Sequence, residues 1–435
     1  LARLIPGYVA AWLSNRIVPI KYISEIITVG DEILRGDVIN GNAAYLGRAL
    51  AAVGIPPQFS SVVPDTLAAI QSALSLAMTR AQVIILTGGL GPTPDDLTRD
   101  AVAQYFKMDL AEDPELLEHV RALFRMRGAE MPATSHNQCL FPVGATKIPN
   151  PHGTAAGIHV QQNGCQIFSL PGVPVEMRQM TDEYISPFLR ATFPDALTLT
   201  KTLRLAGIGE SHLLVALGDQ SEIRDRVSMA YLPHHGLLDV RLTALSNDPA
   251  EAEAQIAHVE GFIRECVGDN VYATGSMPIT GVIGNILVNR SQTLSTAESC
   301  TGGLIANMIT DTPGSSRWFE RGFVTYSNTA KQQDLNVPAE LITAHGAVSE
   351  EVVRAMAAGA RLHSGSSWSL ASTGICGPEG GSEQKPVGTV WIAVASENDV
   401  STRLLSIPGP RDIVKLRTAH ALLYMFYRQL MDIYS

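Results

Sequence analysis

Cysteine is scarce, and nothing in the sequence pairs it. Cys139, Cys165, Cys266, Cys300 and Cys376 are scattered, odd in number and never form C-x-x-C. That pattern excludes a disulfide framework and a zinc ribbon, and it fits a reducing cytoplasm. No H-E-x-x-H occurs, and His234 and His235 lie between Pro233 and Gly236, a turn setting. Positive charge is in deficit: 32 Lys and Arg against 42 Asp and Glu leave a net charge of −10. Gripping a phosphate backbone needs a basic face, so direct nucleic-acid binding is not expected. Long apolar runs are missing too. The stretch Leu4 to Leu13 is too short and broken to span a bilayer. Residues 1–21 lack the pattern of a signal peptide and read as a poorly ordered extension. No other segment is expected to cross a membrane.

What is present describes a well-packed globular protein. Hydrophobic residues make up 46% and charged residues 17%, which rules out disorder. At 435 residues the chain exceeds one ordinary core, so two or three domains are expected. Hydrophobic periodicity divides it into residues 22–190, 198–272 and 275–435. Strands alternating with amphipathic helices predict α/β architecture: two three-layer α/β domains with mainly parallel sheets, joined by a small α+β unit.

In the first module, the strand Ile23 to Val29 empties into Gly30-Asp31-Glu32, and a helix follows with Ala43, Leu46, Leu50 and Val53 on one face. The strand from Gln82 to Leu86 opens into Thr87-Gly88-Gly89-Leu90-Gly91, followed by Asp95 and Asp96. Ligands of parallel sheets sit at the carboxyl ends of strands, where both motifs fall. The N–H groups of Thr87, Gly88, Gly89 and Gly91 can approach a phosphate. Asp31, Glu32, Asp95 and Asp96 would offer hard oxygen ligands to a divalent metal. The competing account makes the glycines a tight turn and Asp96 a helix cap.

The middle region carries no clustered nucleophiles or ligands, and Gly207-Ile208-Gly209 reads as a turn before a helix. The last module turns on Thr296-Ala297-Glu298-Ser299-Cys300-Thr301-Gly302-Gly303, a buried strand passing through small residues into a helix. Its turn N–H groups suit an anion or a developing oxyanion. Ser299 would need a base to act as a nucleophile. Lys331 can serve if burial leaves it neutral, and Tyr326 would orient that lysine or relay a proton. Thr301, Gly302, Gly303, Thr373 and Gly374 are the expected substrate contacts, and Arg411 would take a phosphate. Each has an ordinary alternative: Ser299 as a cap, Lys331 as a surface charge, Tyr326 as packing. Cys300 is the rival nucleophile, but neighbours leaving a strand point apart, so the two are not expected to share a pocket.

Several of these motifs resemble a known family. Gly30 to Leu34, Asn40 to Ala43, Thr87 to Thr98, Asn150 to Thr154 and Leu170 to Pro174 are similar to the molybdopterin-binding-like domain of the CinA family. Thr296 to Gly303, Gly314 to Ser316, Thr325 to Asn328 with Lys331, His345 to Ser349 and Lys385 to Val390 resemble its C-terminal domain, the nicotinamide-nucleotide amidase. The resemblance implies hydrolysis of nicotinamide mononucleotide to nicotinate mononucleotide and ammonia, with Ser299, Lys331 and Tyr326 as catalytic residues and no cofactor. It further implies an ADP-ribose pyrophosphatase in the first module dependent on Mg, Mn or Co, a KH-like connector, and a homodimer. Gly41, Val175 and Cys376 depart from the family's usual Thr, Ser and Ala. A nucleotide-binding or competence accessory protein without turnover is the alternative, as is a chain whose first module alone is active.

Overall fold

The computed structural model describes residues 21–196, 199–244, 246 and 248–432. The extension expected over residues 1–21 lies, except for Lys21, outside them. The chain forms two compact units, residues 1–200 with 244–254, and residues 201–243 with 255–435.

The first unit is built on strands β1 (Ser24–Val29), β2 (Pro57–Val63) and β3 (Val83–Thr87). A small hairpin pairs β4 (Leu110–Glu112) with β5 (Leu140–Pro142), and β6 (Thr146–Ile148), β7 (Gly157–Gln162) and β8 (Cys165–Leu170) complete the unit. The main sheet runs β2-β1-β3-β8-β7-β6. Its first three pairings are parallel and the last two antiparallel. One apolar cluster, with Ile26, Leu46, Ile85 and Phe168, covers one face, and another, with Ile27, Ile70, Ile84 and Leu86, covers the other. Burial on both faces explains the apolar run Val83 to Leu86 of β3 and the adjacent Ile26 and Ile27 of β1. Each such side chain contributes about 1.5–3 kcal/mol. The helix Gly41–Ala52 starts where the Asn40 side chain accepts from the Ala43 N–H. A short helix that the periodicity did not predict, Asp31–Leu34, fills the loop after β1.

The second unit holds two sheets. Strands β9 (Thr200–Ala206), β10 (Val227–His234), β11 (Leu237–Ala244) and β12 (Val271–Thr274) form the order β10-β11-β9-β12; the chain turns at Gly236, while His234, read with His235 as a turn, is the last residue of β10. Strands β13 (Leu294–Glu298), β14 (Phe319–Val324), β15 (Trp368–Gly374), β16 (Thr389–Ala395) and β17 (Val400–Ser406) form β14-β13-β15-β16-β17. Here β14, β13 and β15 are parallel, and the remaining pairs antiparallel. The small sheet is not packed apart. Ala206 and Tyr272 join Ile283, Trp318, Phe426 and Leu430 in one apolar cluster, and the Asn270 side chain donates to the Tyr424 hydroxyl at 3.1 Å. Among the described residues no helix is long and apolar enough to cross a membrane.

Candidate active site

The carboxyl ends of β13 and β15 build a cavity of about 200 Å³. β13 is buried throughout and keeps its pairing one residue beyond its end, where the Ser299 N–H donates to the Ser372 carbonyl at 3.0 Å. Ser299 is thereby held against the sheet, and its Oγ accepts from Lys331 Nζ at 2.9 Å. Lys331 comes from the helix Asn328–Leu335, whose first turn is capped by Ser327 Oγ. It is 1% exposed, and Nζ also donates to the carbonyls of Thr325 at 2.9 Å and Tyr326 at 3.4 Å.

The groups that act on Lys331 include no carboxylate, so burial pushes its pKa below the ordinary lysine value, against an opposing pull from Cys300. Once deprotonated, Nζ would keep its two N–H bonds to the carbonyls and turn its lone pair to the Ser299 hydroxyl. That is the arrangement a general base requires.

Ser299, Lys331, Tyr326, Thr373, Gly374 and Arg411 all line this cavity, and with them Cys300, Asn328, Ala347, Val348 and Cys376. The structure departs from expectation at Cys300 and at the turn Thr301 to Gly303. Cys300 shares the cavity with Ser299, because β13 ends at Glu298 and strand alternation no longer separates the two side chains. Its thiol is nevertheless pushed well above its ordinary pKa, by a hydrogen bond with Cys376 and by burial, which disfavours the thiolate a nucleophile needs. Tyr326, expected to orient the lysine or relay a proton, is 65% exposed, and its hydroxyl accepts from Arg411 Nη2 at 3.1 Å. It is the Tyr326 carbonyl that meets the lysine.

Thr301 is fully buried, with Oγ1 bonded to Ser372 Oγ at 2.8 Å, and neither it nor Gly302 nor Gly303 lines the cavity. The Gly303 N–H is already engaged by the Glu298 carboxylate at 3.0 Å. Among the described residues, the N–H groups of Cys300, Thr301 and Gly302 meet no acceptor. Of the three residues only Cys300 lines the cavity, so its N–H is the donor this turn leaves there for an oxyanion.

The walls are fixed by long-range bonds. Thr373 Oγ1 donates to the Ala347 carbonyl at 2.8 Å, and Lys385 Nζ to the carbonyls of His345 and Val348 at 2.9 and 2.7 Å. Arg411 Nη1 donates to the Gly377 carbonyl at 2.8 Å, so both ends of its guanidinium are oriented.

The larger cavity, about 530 Å³, lies in the first unit, at the carboxyl ends of β1 and β3. Thr87, Gly88, Gly89, Gly91, Glu32, Asp95 and Asp96 line it. Gly88 has φ +106, and a Cβ there would meet the Val29 carbonyl oxygen at 2.2 Å, so only glycine lets these two strand ends approach. The Thr87 hydroxyl is turned to the Pro171 carbonyl at 3.1 Å.

Asp31 is not a lining residue. Its carboxylate accepts from Arg35 at 3.0 Å, and its N–H donates to Asp65 Oδ2 at 2.9 Å. Asp96 folds back onto Thr93, accepting from that N–H at 2.8 Å and from its hydroxyl. Asp65, which sequence patterns did not single out, faces the cavity. Burial and the like charges of Glu32, Asp31 and Asp95 push its carboxyl above the ordinary range, against the Asp31 N–H bond. Its signal was the position just after β2, another strand end.

Among the described residues, no three His, Cys, Asp or Glu side chains are arranged to hold a metal ion. The divalent metal implied for Asp31, Glu32, Asp95 and Asp96 thus meets carboxylates without a converging ligand set, and no step is assigned to it.

Comparison with known proteins covers nearly the same span. Residues 25–191 match the model of a probable molybdopterin binding domain, 200–273 a damage-inducible protein CinA KH domain, and 277–430 a CinA C-terminal domain. A Symbiobacterium thermophilum protein whose description carries the words competence-damage inducible protein is 41% identical over 421 residues, covering 94% of this chain and 99% of that one. A CinA-like protein of Synechococcus is 41% identical over 377 residues, covering 86% and 89%. The crystal structure of a competence/damage inducible protein from Agrobacterium tumefaciens covers 36% of this chain and 99% of its own, at 38% identity and a TM-score of 0.35.

Proposed function

Because the chain belongs to the CinA family, we propose that it is a nicotinamide mononucleotide amidohydrolase working through Ser299 and Lys331. The observation that carries this reading is the 2.9 Å contact between Ser299 Oγ and a lysine that is buried without a carboxylate. Neutral Lys331 Nζ takes the Ser299 proton as Oγ attacks the carboxamide carbon. The oxyanion that forms is met by the free Cys300 N–H at the cavity wall. Nζ then passes the proton to the carboxamide nitrogen, the C–N bond breaks and ammonia leaves an ester on Ser299. Water attacks that ester, giving its proton to Nζ. Return of this proton to Oγ frees the carboxylic acid. Arg411, held at the cavity beside Tyr326, is the group for the substrate phosphate.

The test is ammonia release from nicotinamide mononucleotide by the full chain. No release overturns the activity, and full release by Ser299→Ala overturns the nucleophile.

A second reading concerns the first unit. Its larger cavity, with the glycine loop Gly88 to Gly91 at a strand end, supports binding of a nucleoside diphosphate such as ADP-ribose. Hydrolysis of that anhydride is a separate matter, because the carboxylates do not converge. Calorimetric titration of ADP-ribose with and without Mg, Mn or Co, repeated on Asp96→Ala, tests binding and metal dependence together.

A further inference from the structure

Glu298 is the last residue of β13 and stands directly before Ser299, fully buried. Its carboxylate accepts three main-chain N–H bonds. Oε2 takes those of Gly303 and Ile305, each at 3.0 Å, and Oε1 that of Ala306 at 2.8 Å. These are the donors that the start of the helix Leu304–Thr310 leaves unpaired, and the residue at its N-cap, Gly303, has no side chain to satisfy them. Gly303 has φ +92, which brings its N–H round to the carboxylate and suits glycine alone.

The turn is thus strapped at both ends. Ser299 N–H is bonded to Ser372, and Gly303 N–H is bonded to Glu298. Between the straps lie Cys300, Thr301 and Gly302, whose N–H groups have no acceptor among the described residues. Glu298 also reaches the base. Its main-chain carbonyl accepts from the Thr325 N–H at 2.9 Å, and the Thr325 carbonyl accepts from Lys331 Nζ at 2.9 Å. One residue therefore touches the scaffold of the nucleophile turn with its side chain and that of the lysine with its backbone.

We propose that Glu298 is a positioning residue of the Ser299 site, its carboxylate holding the turn so that the Cys300 N–H, which follows Ser299 at the cavity wall, stays free for the oxyanion. For its reaction the proposal rests on the amidase reading above. A carboxylate is needed because both oxygens face donors. An amide at this position turns an NH₂ group toward a main-chain N–H.

The experiment compares wild type, Glu298→Gln and Glu298→Asp, each shown to be folded at the assay temperature by thermal denaturation. It measures kcat and KM for nicotinamide mononucleotide, and Kd for pyridine-3-boronic acid, which forms a tetrahedral anion on a nucleophilic serine, and for nicotinate, which does not. Glu298→Gln is expected to lose about 10²-fold in kcat, the scale of one displaced oxyanion donor, with KM within about threefold. Boronate affinity should fall by a similar factor while nicotinate affinity holds. Glu298→Asp, which keeps the charge one methylene short, should recover part of both and covers the case in which the glutamine variant does not fold. Unchanged kcat and boronate affinity in a folded variant would overturn the proposal, as would equal losses of boronate and nicotinate binding. If wild type releases no ammonia but binds boronate on Ser299, the amidase reading fails, and the boronate series still decides the role of Glu298.

Discussion

Lys331 Nζ and Ser299 Oγ lie 2.9 Å apart although 32 residues separate them in the chain. The contact exists because β13 and β14 are parallel neighbours, so that the chain leaving β14 returns over the end of β13. Everything proposed for the reaction depends on that adjacency.

The nucleophile is decided by contrasting two neighbouring residues. Ser299→Ala should lower amidase turnover by at least about 10³-fold. Cys300→Ala should retain it within about threefold, since burial and the Cys376 contact keep the Cys300 thiol protonated. Labelling by the substrate's acyl group, located by peptide mass, checks the same point: the ester should fall on Ser299.

Turnover should rise with pH through a single step, as Lys331 loses its proton, with its midpoint below the ordinary lysine value. Stability follows the same sign. The folded state releases this proton at lower pH than the unfolded chain, so the unfolded chain binds more protons between the two pKa values and stability rises with pH across that window. Lys331→Met should abolish turnover, remove this step from the pH–stability curve and raise the melting temperature at neutral pH. A fall in melting temperature would count against an uncompensated buried amine.

Tyr326→Phe separates the two roles considered for this residue. Its hydroxyl meets Arg411, whereas the lysine is met by its carbonyl, which the substitution keeps. KM should rise severalfold with kcat within about threefold. A collapse of kcat with KM unchanged would restore the proton relay.

Asp65→Asn should stabilise the first unit. Its carboxyl is held above the ordinary range by burial and by nearby carboxylates. The folded state therefore binds the proton more tightly than the unfolded chain, and stability is lost as pH rises across that interval. The asparagine can still accept from the Asp31 N–H. The variant's advantage should be smallest in melting curves taken below the ordinary carboxylate range and grow as pH rises through the raised Asp65 value.

Much of the fold was legible in local pattern. The apolar run Val83 to Leu86 marked β3, apolar and β-branched residues marked β1 and the lead-in Thr293 to Ala297 marked β13, and glycine-rich segments marked the strand ends where both cavities lie. The parallel layers follow from strands alternating with amphipathic helices, a periodicity each segment carries by itself. Which residues share a cavity is different information. Asp31 and Asp65 follow different strands, and the pairing of β1 with β2 brings the Asp31 N–H to Asp65, whereas the Asp31 carboxylate takes its near neighbour Arg35 and Asp65 lines the cavity.

Glu298 shows the division most sharply. In sequence it is a polar residue ending an apolar strand, and its three partners lie five to eight positions ahead, a spacing no repeat announces. By itself the sequence determined the strand, the small-residue turn and the presence of Ser299 and Lys331, because these depend on local conformational preference and hydrophobic period. Tertiary structure alone decided that Lys331 is buried without a counter-charge, that the Tyr326 phenol belongs to Arg411, and that the donors after Ser299 stay free. Desolvation and hydrogen-bond competition depend on what the rest of the chain packs around each group.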